Sequence, residues 1–214
     1  MTRTELAKQI YRVAHLTGEF LLRSGATSHE YFDKYLFEGR PELLMEIARQ
    51  MEALIPEEVD ALAGLEMGGI PVATLLSQVS GLPTLFVRKE AKSYGTCKLA
   101  EGGDIAGRRL VIVEDVVTSG GQILLSVKEL REMGAEITDV LCVIDREAGG
   151  VEKLAAKGLT LHPLLTMSAI KGAVGASRGG EREKGRGGER AKGREGEGAR
   201  GREGICCYSL IAYR

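Results

Sequence analysis

Nothing in the composition of this chain points to a membrane, a nucleic acid or a disulfide-stapled scaffold. The formal net charge is −1 over 214 residues, so no global field draws the protein to a polyanion or an anionic surface. No apolar run approaches the roughly 20 residues needed to span a bilayer. The N-terminal MTRTELAKQIYRVAHL is amphipathic and carries Glu5, without the continuous apolar region of a signal peptide. Cys97, Cys142, Cys206 and Cys207 show neither metal-ligand nor disulfide-framework spacing, and a cytoplasmic location is the simplest expectation. Two common phosphate motifs are also missing. There is no G-x-x-x-x-G-K-[ST], and the run from Gly64 to Gly69 has the wrong spacing for a dinucleotide loop. No Ser/His/Asp or Cys/His constellation stands out, and His15, His29 and His162 are expected in structural or surface roles.

What is present is an alternation of helical and strand patterns in a chain that is 43% hydrophobic, enough for one substantial core. Helices are expected over Thr2 to Leu16, Pro41 to Leu54 and Val72 to Val79. Two more are expected, one after Gly121 that stops at Gly134, and one over Val151 to Lys157. Strands are expected over Val59 to Gly64, Thr84 to Val87, Leu110 to Val113, Thr138 to Ile144 and Leu159 to Leu161. Strands alternating with helices imply an α/β fold with a mostly parallel sheet flanked by helices.

The stretch LVIVEDVVTSGGQ, Leu110 to Gln122, carries the most chemistry. An apolar β-branched run suits a strand buried on both faces. Glu114 and Asp115 follow where that strand is expected to end, and Thr118 to Gly121 make a small hydroxyl-rich turn. Ile123, Leu124, Val127, Leu130 and Met133 then recur at helical spacing. Backbone N–H groups at a helix N-terminus favour a phosphate, while carboxylates accept hydrogen bonds from ribose hydroxyls. The segment is suited to a phosphorylated ribose. The plain alternative is an acidic strand end before an ordinary helix.

In parallel sheets, ligands bind beyond the carboxyl ends of the strands. Those ends carry Glu66, Arg88-Lys89, Glu114-Asp115 and Asp145-Arg146. The Arg88-Lys89-Glu90-Ala91-Lys92 run opens a Gly-containing loop, Ser93 to Gly107, too long for a mere connector. Cationic loops of this kind cover polyphosphates and exclude water. A guanidinium at Arg146, at a strand end, suits a bidentate grip on a planar carboxylate.

Four segments together resemble the type I phosphoribosyltransferases, and among them the orotate phosphoribosyltransferase family. Leu110 to Gln122 resembles the signature for phosphoribosyl diphosphate (PRPP). Phe20 to Asp33 (FLLRSGATSHEYFD) is similar to the family's N-terminal hood signature. Arg88-Lys89-x-x-Lys92 with Tyr94-Gly95-Thr96 resembles its catalytic loop, and Val143 to Gly150 (VIDREAGG) its orotate-binding strand end. The likeness covers about residues 1–171, with a hood over about 1–40 and a core over about 41–171.

The resemblance implies specific roles. Glu114 and Asp115 would hold the ribose hydroxyls, and Val116, Val117, Thr118, Ser119, Gly120, Gly121 and Gln122 would wrap the 5′-phosphate. Lys89 and Lys92, with Arg88 from a partner subunit, would bind the diphosphate. Arg23 and Tyr94 would contact PRPP. Tyr31, Phe32, Thr118 and Arg146 would orient orotate. Lys89, Lys92 and Asp115 are the catalytic candidates. The implied cofactor is Mg²⁺ carried by the diphosphate rather than by a protein metal site. The implied assembly is a homodimer with shared active sites, acting on orotate and PRPP in pyrimidine biosynthesis. Many bacterial members have His in place of Tyr94 and Lys in place of Gly68, and the loop here is closer to the eukaryotic type.

Rival readings are a transferase for a purine or uracil base, a PRPP-sensing regulator, and a bifunctional synthase. The carboxylate grip of Arg146 and the hood motif disfavour the first. Lack of room for a DNA-binding module before the hood disfavours the second, and the short stretch after Lys171 disfavours the third. Residues 172–214 are expected to be a disordered tail. From Arg178 to Gly204 the chain is almost wholly Gly, Arg, Lys and Glu, which cannot bury enough surface to offset ordering entropy. The final ICCYSLIAYR bears no relation to the rest and is expected to be a non-homologous extension.

Overall fold

A computed structural model describes residues 1–21, 25–90 and 99–182, with side chains described as far as Gly175. The chain opens with α1 (Arg3–Ala14), whose first turn is capped by the Thr2 hydroxyl accepting from the Glu5 N–H at 3.2 Å. An antiparallel hairpin follows, β1 (His15–Leu21) and β2 (Thr27–Phe32), and then a single helical turn, α2 (Tyr35–Glu38). Next come α3 (Pro41–Glu52), β3 (Ala61–Leu65), α4 (Gly69–Ser80), β4 (Thr84–Val87) and β5 (Ala100–Glu101). The chain continues through β6 (Arg109–Val117), α5 (Gly121–Glu132), β7 (Glu136–Asp145), α6 (Gly150–Ala155), β8 (Thr160–Thr166) and α7 (Met167–Arg182).

The main sheet has six strands in the order β5-β4-β3-β6-β7-β8, all parallel except the edge pair β4–β5. Strand alternation divides the apolar residues between two cores. Val111 and Val113 of β6 pack with Leu6, Ile10, Leu43, Ile47, Leu76 and Ile170 from α1, α3, α4 and α7. Leu110 and Ile112 pack on the other face with Ile123, Val127 and Leu130 of α5 and Leu154 of α6. This is the α/β arrangement expected, a mostly parallel sheet covered by helices. Among the described residues no helix is long and apolar enough to cross a membrane.

Three features differ from the sequence reading. β6 does not stop at Val113 but runs to Val117, so Glu114 and Asp115 lie within the strand. Its backbone stays in register with β7, Glu114 opposite Cys142 and Val117 opposite Asp145. The polar stretch from His15 to Phe32 forms a hairpin with mostly exposed or half-buried residues. Finally, the boundary set at Lys171 falls inside α7, which continues to Arg182. Ile170 is fully buried and Ala173 packs against the core, and that anchoring carries the helix past the glycines at 172 and 175. The expected tail from 183 onward lies outside the described residues.

Candidate active site

The carboxyl ends of β3, β4, β6 and β7 bring the expected groups to one edge of the sheet. The Glu66 N–H donates to the Val87 carbonyl at 2.8 Å, and the Arg146 N–H donates to the Val117 carbonyl at 2.9 Å. A crevice of about 300 Å³ opens there, lined by Glu114, Val116, Val117, Thr118, Ser119, Gly120, Gly121, Gln122 and Ile123. A larger groove of about 470 Å³ runs along α5, between Leu124, Arg131 and Lys157. It lacks a carboxylate pair beside a helix N-terminus, so the smaller crevice is the chemically equipped one.

Gly120 caps α5 with φ +69°, a left-handed conformation that favours glycine. The first intrahelical bond runs from the Leu124 N–H to the Gly120 carbonyl. The N–H groups of Gly121, Gln122 and Ile123 therefore have no partner inside the helix and face the crevice end. Together with the helix dipole they make an anion site.

The two acids differ in setting. Glu114 lines the crevice, and its Oε2 is buried without a hydrogen-bond partner among the described residues. Burial, and then the charge of Asp115, push its carboxyl up to about 8. Asp115 lies deeper, with no exposed surface. Its Oδ2 is 2.5 Å from the Lys34 ammonium, and its Oδ1 accepts from the Val116 N–H. Burial pushes the Lys34 ammonium down, but its hydrogen bond to Asp115 and nearby negative charge outweigh this and hold it above its ordinary value. Glu38, one turn along α2, faces the same Asp115 carboxylate; burial and then Asp115 push the Glu38 carboxyl up to about 9. At neutral pH it is therefore a neutral acid that can donate to Asp115.

Gly68 makes this corner possible. A Cβ there would stand 1.5 Å from Asp115 Oδ2 and 2.4 Å from its Cγ. At Gly69 a Cβ would meet the Val113 carbonyl oxygen and approach Glu114 Oε2 at 3.2 Å. The loop after β3 thus lies directly against both acids.

The other expected residues have the following places. Lys89 is exposed just beyond β4, while Arg88 is half-buried. The Arg88 Nε is buried and has no hydrogen-bond partner among the described residues. Arg146 is exposed at the end of β7. Its flank is fixed, since Asp145 Oδ1 accepts from the Glu147 N–H at 2.9 Å. The Glu147 carboxylate in turn accepts from the Ser168 N–H and hydroxyl at 2.7 and 2.8 Å. Glu147 has φ +57°, a strained conformation for a residue with a Cβ, and these contacts hold it there. Tyr31 is 44% exposed and stacks on Phe20, with ring centroids 5.4 Å apart. Phe32 packs against the core. Arg23, Lys92 and Tyr94 lie outside the described residues. His162 on β8 pairs with Asp139 of β7 at 2.6 Å, in keeping with a structural role.

Sequence reasoning missed Lys34, Glu38 and the steric role of Gly68. A signal for the first two existed: opposite charges four residues apart, on a segment just after the hood motif, share one helical face.

Residues 38–170 match the phosphoribosyl transferase domain family. An orotate phosphoribosyltransferase of Nocardioides sp. is 52% identical over 168 residues, covering 78% of this chain and 94% of that relative. One of Methanocella arvoryzae is 41% identical over 170 residues, covering 79% and 97%. Among solved structures, the Mycobacterium tuberculosis orotate phosphoribosyltransferase in complex with PRPP superposes with a TM-score of 0.68 at 28% identity, covering 79% of this chain and 98% of that one. A buried acid pair on a central parallel strand, a glycine-capped helix N-terminus beside it and these relatives agree: the chain belongs to the orotate phosphoribosyltransferase family.

Proposed function

We propose that the crevice at the end of β6 transfers the 5-phosphoribosyl group of PRPP to orotate, giving orotidine 5′-monophosphate and diphosphate. The observation that carries this reading is the crevice itself, where Glu114 and the N-terminus of α5 stand side by side. One element takes hydroxyls and the other takes a phosphate, and both line the same crevice.

The parts divide the work as follows. The amides of Thr118 to Gln122 hold the 5′-phosphate, with the Ser119 and Thr118 hydroxyls beside them. Glu114 and Asp115 hold the ribose hydroxyls. Arg88 and Lys89, with Lys92, neutralise the diphosphate, and Arg23 and Tyr94 contact PRPP in the roles that family likeness assigns. Arg146 grips the orotate carboxylate, while Tyr31, Phe32 and Thr118 set the ring. An orotate nitrogen forms a bond to C1 of the ribose as the bond from C1 to the diphosphate oxygen breaks. The electron pair of that bond leaves with the diphosphate, and C1 gains positive character on the way. Preorganised cations facing the developing charge supply the largest catalytic contribution, each worth about 2.7–4 kcal/mol. The proton on the attacking nitrogen is given up as the new bond forms, and an oxygen of the departing diphosphate can take it, so no strong side-chain base is needed.

The donors around the crevice are carboxylate and hydroxyl oxygens, a set that fits Mg²⁺ better than a softer ion. Mg²⁺ prefers substrate phosphates and water to an all-protein cage, in keeping with an ion that enters on the diphosphate. When bound it spreads the charge of the leaving group. A homodimer that lends Arg88 across its interface, and a cytoplasmic location, complete the reading.

Incubating the protein with PRPP, Mg²⁺ and orotate tests it, with loss of orotate absorbance as the readout. Orotate should be consumed, whereas adenine, hypoxanthine and uracil should not. Turnover of a base that lacks a carboxylate, with orotate inert, would overturn the assignment.

A further inference from the structure

We infer that Lys34 is a PRPP-binding residue, held over Asp115 in the free protein and presented to a substrate oxygen when the ribose enters. The inference rests on the reading above, in which the crevice binds PRPP. Its own support is the geometry around Asp115. That carboxylate has no exposed surface, while the Lys34 side chain above it is 31% exposed. A ribose approaching Asp115 therefore meets the Lys34 side chain first.

The ammonium has three N–H donors, and the contact with Asp115 Oδ2 at 2.5 Å accounts for one. The Tyr35 ring lies against the same group, 5.1 Å from Nζ to the ring centroid. The acidic groups that act on Lys34 are Asp115 and Glu114, with Glu38 one turn along α2. PRPP adds a highly anionic ligand. Lys34 can thus pass from a protein carboxylate to a substrate oxygen without ever losing an anionic partner. That exchange frees Asp115 for a ribose hydroxyl while adding a cation to the substrate's surroundings.

Two other roles for the same contact predict different results. If Lys34 only braced the hood against the sheet, its loss would lower thermal stability and leave PRPP affinity alone. If it merely plugged the site, its loss would tighten PRPP binding. Loss of a direct ligand weakens PRPP binding, whatever it also costs in stability.

The experiment compares the parent protein with Lys34→Met, Lys34→Arg and Lys34→Gln, by steady-state kinetics with each substrate varied. Lys34→Met should raise the KM for PRPP at least tenfold, with the orotate KM changed less than threefold and kcat reduced less than the PRPP KM is raised. Lys34→Arg, which retains the cation, should bring the PRPP KM back to within about threefold of the parent. Lys34→Gln keeps a donor but no charge, and provides the same rise in KM where Lys34→Met does not fold. An unchanged or lowered PRPP KM in folded Lys34→Met or Lys34→Gln overturns the inference. Calorimetric titration of the parent with Mg²⁺ and PRPP separates the two levels. A parent that takes up no PRPP overturns both readings, whereas a parent that binds beside unaffected Lys34 variants overturns only the assignment of Lys34.

Discussion

Gly68→Ala is the sharpest perturbation available, because ordinary helix energetics and the geometry of the site predict opposite signs. Gly68 has φ −72° and ψ −29°, a conformation that alanine adopts without strain. At such a site, replacing glycine normally stabilises by about 0.4–1 kcal/mol, through a less flexible unfolded chain. Here the added Cβ would fall 1.5 Å from Asp115 Oδ2, so the carboxylate has to move. Asp115 is fully buried and cannot swing into solvent, and moving it breaks its contact with Lys34. Breaking a buried ion pair costs about 3–5 kcal/mol when a charge is left stranded. Lys34 can recover some hydration, so the lower part of that range applies. After the alanine gain is subtracted, the net loss is about 2–4 kcal/mol. For a domain of this size each kcal/mol moves Tm by about 2–4 °C, so thermal unfolding followed by circular dichroism should show a drop of about 5–15 °C. The same variant should raise the KM for PRPP. In an Asp115→Ala background the obstructing carboxylate is gone, and Gly68→Ala should be neutral or mildly stabilising, a non-additivity expected of contacting residues. A Gly68→Ala protein as stable as the parent, with unaltered PRPP kinetics, would refute the reasoning.

Three further outcomes follow from the same structure. Lys89→Ala should lower kcat at least tenfold with the unfolding midpoint unchanged, because the side chain is exposed and supports no packing; unchanged turnover would make the cation mere surface. Arg146→Gln should raise the orotate KM about ten- to hundredfold, the range of a lost hydrogen bond to a charged group at about 1.5–3 kcal/mol; the PRPP KM should hold steady. Glu38 titrates near 4.5 when unfolded and is pushed up to about 9 when folded, by burial and then by Asp115. The folded state therefore binds the extra proton, and its stability falls as pH rises from about 4.5 towards 9. Glu38→Gln mimics the protonated form and should gain Tm relative to the parent progressively over that window. A constant difference between pH 5.5 and 8.5 would show that Glu38 is ionised in the folded protein.

Much of this arrangement was legible in the sequence, and the exceptions share a cause. Thr84–Val87 has the bounds its sequence implies, because a short apolar run between Pro83 and a basic pair leaves little choice. The end of β6 is not legible because Glu114 and Asp115 are poor strand formers by local preference. Only the backbone pairing with β7 keeps them extended, and that partner lies more than 20 residues away. The β1–β2 hairpin and two-residue β5 carry too little apolar alternation to announce themselves. For the candidate site, the glycine turn and the acid pair are legible because both lie in one short stretch of sequence. The Lys34–Asp115 contact joins two distant segments, and in sequence Lys34 looks like any solvated lysine.

The short edge pairing of β4 with β5 has a consequence for how this enzyme family can vary. The Arg88 N–H donates to the Leu99 carbonyl at 2.9 Å, so both feet of the basic segment are fastened to the same rung of the sheet. Lengthening or rewriting what lies between them changes the closure entropy only slowly, by roughly 0.6 kcal/mol for each doubling of length. The fastened rung keeps such changes from reaching β3 and β6. Substrate handling can therefore be retuned in that segment while the scaffold beneath it is left undisturbed.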